Sequence, residues 1–332
     1  MRRRDLFKVC IGTAGLAAGV ACSRRKSPAV RKLALCASKQ LSMSSLYLSQ
    51  EQGYFRDAGL EVEIQPSVNP LQATAAMAGG KLDILLTGIT TSFLNAALKG
   101  APLKIVAGRE IASPSCGGMG VIYGLRRTFP KGLADLRQLK GRRVVTGPSI
   151  GFSQFALEAH LATAGLSIDD VIPVTLSSSQ SVAALIGGSV DALVLNNDLD
   201  RDLGSLSSQI VHTQGLAAIY PDFQCSHIFF GGTLLKADVD IGARFLVAYL
   251  RGTREFLGGK TPNFMVDYAK TNRLDVARVT QACRGTFTVD GEVDMRSLRL
   301  FAEWAARRKY TSRLADVSQL VDLRFLRRAR AS

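Results

Sequence analysis

The sequence predicts an α/β protein made of two doubly wound lobes that are joined by a hinge. The chain has 332 residues, 47% of them hydrophobic and 21% charged, which is the composition of globular domains and enough length for two. Ala-Gly-Leu at residues 58–60 recurs at residues 164–166, and Gly-Gly-x-x-Asp at residues 79–83 recurs at residues 187–191, at offsets of 106 and 108 residues. A long period that occurs twice indicates two lobes with one plan.

The N-terminus predicts an export signal over residues 1–22, followed by a linker over residues 23–32. Arg3-Arg4-Asp5-Leu6-Phe7-Lys8 resembles the twin-arginine pattern, with ordinary secretion as the alternative. The uncharged stretch 9–21 suits a secretory apolar region and is too short to span a bilayer. Cys22 ends a segment that resembles a lipoprotein cleavage box, although Gly19 stands where a larger aliphatic residue is usual. We therefore expect a periplasmic or extracytoplasmic location, with a lipid anchor at Cys22 touching the membrane surface.

Hydrophobic periodicity then predicts the same element order in both lobes. In the first lobe, strands over residues 33–38, 61–65 and 83–87 alternate with helices over 44–58 and 71–79. In the second lobe, strands over 142–146, 172–176 and 191–195 alternate with helices over 152–164 and 179–187. Strands joined by helices run parallel with right-handed crossovers, so each lobe is expected to be a doubly wound sheet.

The remaining chain returns to the first lobe. An apolar strand is expected over residues 227–235, and helical patterns follow, including 239–257 and 294–307. We expect the chain to cross between the lobes near residues 117–123 and 220–225. Lobe one is then 33–118 with 225–332, lobe two is 119–224, and the two crossings form a hinge that allows closure over a ligand.

Charge and cysteine content exclude some classes of function. The net charge is +15, but residues 1–30 carry +6 and residues 324–332 carry +4, which leaves +5 for the body. We find no basic stripe interleaved with aromatic residues and expect no nucleic-acid partner. The body cysteines Cys36, Cys116, Cys225 and Cys283 form no C-x-x-C pair, so neither a metal site nor a cofactor is predicted. Buried free thiols are expected, with three disulfide pairings open if the thiols oxidise.

The candidate binding residues follow from the rule that such sheets bind ligands beyond the carboxyl ends of their strands, near helix N-termini. The loops concerned are polar and mostly neutral. The predicted set is Gln40, Ser42, Met43 and Ser44 after the first strand, Gly88, Thr90 and Thr91 after the third, Ser149, Ile150, Gly151, Phe152 and Ser153 in the first turn of lobe two, and Asn196, Asn197 and Asp198 after its last strand.

Three of the candidate positions have competing interpretations. Ser149 lies in a G-x-S-x-G turn, so it is a hydrolase nucleophile, part of a ligand cradle or a helix cap. A nucleophile would need Asp191 or Asp198 with His212 or His227, and no His-Gly oxyanion motif precedes Ser149. Arg109, just after the apolar strand 103–107, pairs a ligand oxyanion or is a surface charge. Asp198 binds a ligand amine or caps a helix.

An ordered set of motifs resembles a known family. The motifs are Gly53-Tyr54-Phe55, Gly79-Gly80-Lys81-Leu82-Asp83, Asp135-Leu136 to Gly141, Gly165-Leu166 and Val321-Asp322-Leu323. They resemble the solute-binding proteins of ABC importers, closest to the nitrate, sulfonate and taurine and the thiamine-pyrimidine-precursor type, from about residue 33 to 326. The resemblance implies a type II periplasmic-binding-protein fold that traps a small organic or inorganic solute and docks on a permease with its ATPase.

The same resemblance implies that the protein is a monomer without enzymatic activity. Enzymes of thiamine-pyrimidine synthesis and of the menaquinone pathway share the fold and are one alternative, but the Cys-rich motif of the pyrimidine synthase is missing here. A hydrolase that uses Ser149 is a second alternative, and a periplasmic sensor subunit is a third.

Overall fold

Lobe one begins with the β-α-β-α-β order that the sequence predicts. The computed structural model describes residues 30–66, 69–114, 118–195 and 208–332. The first elements are β1 (Arg31–Ala37), α1 (Ser44–Glu51), α2 (Tyr54–Asp57), β2 (Leu60–Pro66), α3 (Pro70–Ala78), β3 (Ile84–Gly88), α4 (Thr91–Leu98) and β4 (Lys104–Gly108). The helix expected over residues 44–58 is divided into α1 and α2 because Gly53 adopts a left-handed backbone conformation, with φ of 74°.

Lobe two repeats this order after an entering strand. Its elements are β5 (Val121–Leu125), β6 (Arg143–Val145), α5 (Phe152–Thr163), β7 (Ile172–Val174), α6 (Ser178–Gly187), β8 (Ala192–Leu195) and β9 (Ile210–His212). The chain then returns through β10 (Ser226–Phe230), α7 (Gly232–Lys236), α8 (Val239–Leu257), α9 (Asn263–Thr271), α10 (Val276–Thr280), α11 (Met295–Arg307), α12 (Val317–Leu320) and α13 (Arg324–Arg330). The strand expected over 227–235 therefore ends at Phe230, and α7 begins at Gly232.

The two sheets have equivalent strand orders, β2-β1-β3-β10-β4 and β7-β6-β8-β5-β9. The three strands of each repeat are parallel, as predicted. The fourth strand of each sheet is antiparallel and is the strand that arrives from the other lobe, β10 in sheet one and β5 in sheet two. Both sheets are therefore mixed, which confirms the two-lobed α/β class; the predicted parallel strands are joined in each sheet by one strand that pairs antiparallel with both of its neighbours.

One aspartate performs the same structural task in each lobe. The Asp83 carboxylate accepts a hydrogen bond from the backbone N–H of Ala34 at 2.9 Å, and the Asp83 N–H donates to the Ala34 carbonyl at 2.9 Å. Asp191 forms the equivalent pair with Arg143 in lobe two, at 2.8 and 2.9 Å. The repeated Gly-Gly-x-x-Asp motif thus fastens the third strand of each repeat to the first.

The two crossing segments lie side by side and hold the lobes together. Ala112 N–H donates to the Phe223 carbonyl at 2.8 Å, and Cys225 N–H donates to the Glu110 carbonyl at 3.0 Å. The segment before α11 joins them, because Thr288 N–H donates to the Arg109 carbonyl at 2.8 Å. This three-segment ladder includes residues of the predicted second crossing, 220–225, but lies before the predicted first crossing, 117–123. The hinge itself stays a prediction.

Two hydrophobic clusters cover the two faces of sheet one. The first packs β-strand residues against α1, α8 and α13. The second is continuous between the lobes, because Phe155 of α5 packs on Phe223 and Trp304, with ring centroids 4.9 and 5.5 Å apart. Tyr310 adds a polar link, since its carbonyl accepts from Asn95 of lobe one and its hydroxyl accepts from Gln154 of lobe two.

Candidate functional site

The candidate loops lie where three strands of the two sheets end. A short 3-10 turn over Leu41–Met43 follows β1, Thr90 caps α4 after β3, and the turn before α5 follows β6. The predicted Asn196, Asn197 and Asp198 lie outside the described residues, as do Cys22 and the rest of the predicted export signal. The structure therefore places three of the four predicted loops.

The turn before α5 offers the cradle that the sequence suggests. Gly147 has φ of 86°, in the left-handed region, and Gly151 caps the helix without any side-chain hydrogen bond. The side chain of Ser149 is half-buried and forms no hydrogen bond within the described part of the chain. Ile150 is 37% exposed, and Ser153 is half-buried on the first turn. A helix of twelve residues starts here, and its first N–H groups carry partial positive charge.

Two predicted loops from different lobes contact each other directly. The Thr91 N–H and hydroxyl both donate to the Ile150 carbonyl, at 3.0 and 3.1 Å. Thr90 and Gly151 form an isolated antiparallel bridge beside this contact. The Thr90 hydroxyl oxygen also accepts from Phe93 N–H at 3.3 Å and caps α4. The structure therefore brings the N-termini of α4 and α5 together across the two lobes.

Arg109 holds the loop after β1 in place through contacts with Ser42 and Met43. The Arg109 guanidinium is fully buried; it donates to the Tyr249 hydroxyl at 2.8 Å, the Ser226 hydroxyl at 2.7 Å and the Ser42 carbonyl at 2.9 Å. One further N–H approaches the Met43 sulfur at 3.5 Å. Four of the five guanidinium N–H groups thus have protein partners, and Nη1 also lies 3.8 Å from the Glu110 carboxylate. The buried Arg109 is therefore not a surface charge, and its pairing with a solute oxyanion stays a prediction.

The other predicted residues of lobe one differ in exposure. Gln40 is exposed and accepts from the Ser38 hydroxyl at 3.3 Å, whereas Met43 and Ser44 are buried, with the Ser44 hydroxyl donating to the Leu41 carbonyl at 2.7 Å. Gly88 approaches the return segment, since a Cβ there would lie 3.3 Å from the Cys225 carbonyl. Phe152, predicted as an apolar wall, is buried in the interlobe core 5.8 Å from Phe223.

Sequence reasoning missed Glu110. Its carboxylate lies 3.8 Å from the Arg109 guanidinium, and its side chain is 12% exposed. Burial raises the pKa of the Glu110 carboxyl, with Arg109 and Ser226 acting in the opposite direction. The signal that could have identified Glu110 is a pair of adjacent charged residues, Arg and Glu, directly after an apolar strand.

The geometry gives no support to a Ser149 hydrolase. Asp191 is held by Arg143 before β8, and because parallel strands share one direction it lies at the opposite end of the sheet from the turn after β6. The described histidines contact other groups: His160 pairs with the Gly120 carbonyl, and His212 with that of Thr213. His227 is fully buried in sheet one without a hydrogen bond.

Of the cysteines that the structure describes, one departs from the expectation. Cys225 is a buried free thiol, and burial raises its pKa well above the usual value. Cys283 is in a disulfide bond, so the expectation of free thiols is wrong there. Cys116 lies outside the described residues. Within the described ranges, no group of three His, Cys, Asp or Glu side chains is placed to hold a metal ion, and none of the helices has the length and apolarity needed to cross a membrane.

Three solved structures share the fold, and two of them are binding proteins by name. The alkanesulfonate-binding protein of Xanthomonas axonopodis pv. citri, bound to MOPS, has a TM-score of 0.69 at 18% identity, over 89% of this chain and 99% of that one. The periplasmic nitrate-binding protein of Synechocystis PCC 6803 gives 0.62 at 12% identity, over 91% and 89%. A Candida albicans protein described as having the generic periplasmic binding protein fold gives 0.60 at 14%, over 92% and 95%. Identities this low establish the fold alone.

Curated relatives point to thiamine metabolism by name. A Haemophilus influenzae protein, provisionally named for thiamine biosynthesis, is 31% identical over 151 residues, which are 46% of this chain and 45% of the relative. The 4-amino-5-hydroxymethyl-2-methylpyrimidine phosphate synthase of Schizosaccharomyces pombe is 27% identical over 146 residues, 44% and 39% respectively. The chain thus spans less than half the length of these relatives. A family model described as NMT1/THI5 like matches residues 40–258, about two thirds of the chain. The protein therefore belongs to the NMT1/THI5-like family, with a periplasmic-binding-protein fold.

Proposed function

We propose that the protein is a solute-binding protein of an ABC importer that captures one small solute between its lobes. The observation that carries this proposal is the hydrogen-bonded contact between Thr91 and Ile150. It joins two helix N-termini from different lobes at the edge where such sheets bind ligands. A solute that bridges the same loops would stabilise the closed arrangement, since it binds that state preferentially.

The proposed solute contacts are polar and mostly neutral. The half-buried hydroxyls of Ser149 and Ser153 and the N–H groups at the start of α5 would donate to the solute, and the loop held by Arg109 would close the other side through Gln40 and Ser42. A helix N-terminus stabilises an anion by up to about 2 kcal/mol when it is partly buried. Asn196, Asn197 and Asp198 would complete the set from lobe two.

The proposed solute class is a sulfonate, nitrate or taurine, or a pyrimidine precursor of thiamine. The first group rests on the names of the solved structures and the second on the names of the curated relatives. We also propose export by the predicted N-terminal signal, acylation at Cys22, action as a monomer, and delivery of the solute to a permease with its ATPase.

A biosynthetic enzyme is the second candidate function, favoured by the synthase named among the relatives. Native mass spectrometry of freshly purified protein separates the two. A co-purified solute that is released unchanged supports capture. Formation of 4-amino-5-hydroxymethyl-2-methylpyrimidine phosphate by the purified protein would replace the proposal by the enzyme. A thermal-shift screen with taurine, an alkanesulfonate, nitrate and an aminopyrimidine then identifies the solute, because a ligand that binds only the folded state raises the melting temperature.

Replacing Ser149 by alanine is expected to weaken the solute found in this way by about 1 kcal/mol, which is the contribution of one neutral hydrogen bond. The hydroxyl has no hydrogen bond among the described residues, so its loss should leave the free energy of unfolding unchanged. Calorimetric titration measures the affinity and urea unfolding the stability. Equal affinity of the variant and the original protein would remove Ser149 from the site.

Replacing Gly151 by alanine is expected to weaken solute binding about tenfold. The backbone of Gly151 is extended, with φ of −161°, so space rather than strain restricts this position. A Cβ would lie 3.0 Å from the Ile89 carbonyl and 3.2 Å from the Thr90 methyl, which would push the two lobes apart.

The matched control is Gly187→Ala at the end of α6, where a Cβ meets nothing within 4 Å. This control should bind solute like the original protein. Unchanged affinity in Gly151→Ala would show that the Thr90–Gly151 contact is not part of the closed, solute-bound state.

A further inference from the structure

Positive charge is concentrated in one short segment of lobe two. Residues 126–143 contain seven Lys or Arg and one Asp, a net charge of +6. The whole body, residues 31–323, has a net charge of +5, so the rest of the body is close to neutral. Most of these cations are exposed. The segment is therefore the most basic stretch of its length in the body, separate from the two charged termini.

The fold places these cations along one end of sheet two, where β5 ends and where β6 and β7 begin. β5 ends at Leu125, β6 begins at Arg143, and Ile172 N–H at the start of β7 donates to the Arg142 carbonyl at 2.8 Å. The cradle before α5 lies at the opposite end of β6. We call this surface the basic edge. Its members are Arg126, Arg127, Lys131, Arg137, Lys140, Arg142 and Arg143.

Neighbouring carboxylates neutralise only part of the basic edge. Asp191 pairs with Arg142 and Arg143 at 3.6 and 3.2 Å, Asp170 with Lys140 at 3.6 Å, and Asp135 with Arg137 at 2.9 Å. Subtracting these three carboxylates from the seven cations leaves +4. Arg126 and Lys131 have no ion pair among the described residues and border an open depression of about 460 Å³.

Two large aliphatic side chains are exposed beside these cations. Ile172 is 53% exposed and is the strand partner of Arg143. Ile186 is 40% exposed, and its carbonyl accepts a hydrogen bond from Arg127. Cations with apolar side chains between them are the composition of surfaces that lie on a bilayer, because the cations meet anionic headgroups while the apolar groups enter the interface.

We propose that the basic edge is a contact surface for membranes with anionic headgroups. Each Lys or Arg near such a surface strengthens binding about fivefold. Phe129, the aromatic residue within the segment, is buried, so the stacking platform of a single-stranded nucleic-acid site is missing at this edge of the described structure. The arginines of α13 offer a weaker surface, because Arg324, Arg328 and Arg330 pair with Asp322, Asp240 and Asp290.

Co-sedimentation of the full chain with vesicles tests the proposal. We expect the protein to bind vesicles of phosphatidylglycerol and phosphatidylcholine at low salt and to bind them more weakly at high salt. Binding to vesicles of phosphatidylcholine alone should not depend on salt. Arg126→Glu with Lys131→Glu should reduce the partition coefficient at least tenfold. The control is Lys81→Glu with Lys99→Glu, at two exposed cations of lobe one that have no ion pair among the described residues. It makes the same change in net charge and should reduce the partition coefficient by less than about threefold.

Two further measurements locate the contact, since the basic N-terminal residues are common to all variants. Ile172→Thr with Ile186→Ser should weaken binding, whereas Leu71→Ser, at a residue 57% exposed on lobe one, should not. Anionic vesicles should slow hydrogen exchange of amides within residues 126–143. The proposal would be overturned if both double charge variants lost binding equally, or if this segment gained no protection. If the protein captured an acidic protein and bound no vesicles, the basic edge would belong to a different partner.

Discussion

Arg109→Met is expected to lower the free energy of unfolding by about 3–5 kcal/mol, the cost of removing one partner from a buried charge pair. The variant leaves the Glu110 carboxylate, which is 12% exposed, without its cation. It also removes the donors that serve Tyr249, Ser226 and the Ser42 carbonyl. Urea unfolding at neutral pH measures the difference. Arg299→Met, at an exposed position of α11, is the matched control and should change stability by less than about 0.5 kcal/mol.

The second variant in this series separates charge from hydrogen bonding. Arg109→Met with Glu110→Gln should recover part of the lost stability, because no uncompensated buried carboxylate remains. Arg109→Lys should retain the charge but not the three-way set of hydrogen bonds, since an ammonium group has no planar fork. A loss below about 1 kcal/mol in Arg109→Met, or no recovery in the double variant, would contradict the role assigned to this pair.

The repeated elements could be predicted from the sequence because their information is local. Apolar alternation marked β2 and β7, helical periodicity marked α3 and α6, and the duplicated Gly-Gly-x-x-Asp motif placed the third strand of each repeat. The antiparallel pairing of β5 and β10 could not be predicted in the same way. Each pairs with strands of a lobe that the chain has just entered, and no local pattern encodes which distant edge is open.

The candidate site was predictable as loops but not as contacts. Strand ends identify which loops share an edge, and this rule places the loops after β1, β3 and β6 correctly relative to their strands. It does not specify that the Ile150 carbonyl accepts from Thr91, because that contact depends on how two lobes meet. The burial of Arg109 was likewise hidden, since its partners Tyr249 and Ser226 are distant in sequence.

His227→Leu is expected to remove much of the acid sensitivity of the fold. Burial lowers the pKa of His227 to about 3, with Arg109 adding to the shift and Asp294 opposing it. The unfolded chain binds this proton below pH ~6.5, whereas the folded protein does so only near pH 3. Between these values the unfolded state holds more protons, so stability falls on acidification by up to about 1.4 kcal/mol per pH unit from this group. Urea unfolding from pH 7 to pH ~4.5 measures the slope.

At pH 7 the same variant should change stability by less than about 1 kcal/mol, because neither ring nitrogen of His227 has a hydrogen-bond partner and leucine has a similar volume. The difference between the two proteins isolates His227 from other titrating groups. Burial also lowers the pKa of His160, which acts in the same direction, and the raised pKa of Glu110 acts in the opposite one, but both are present in each protein. His212→Gln, at an exposed position, is the control. Parallel stability curves for His227→Leu and the original protein would show that His227 becomes protonated in the folded state, and the sheet would then have to open around it at mildly acidic pH.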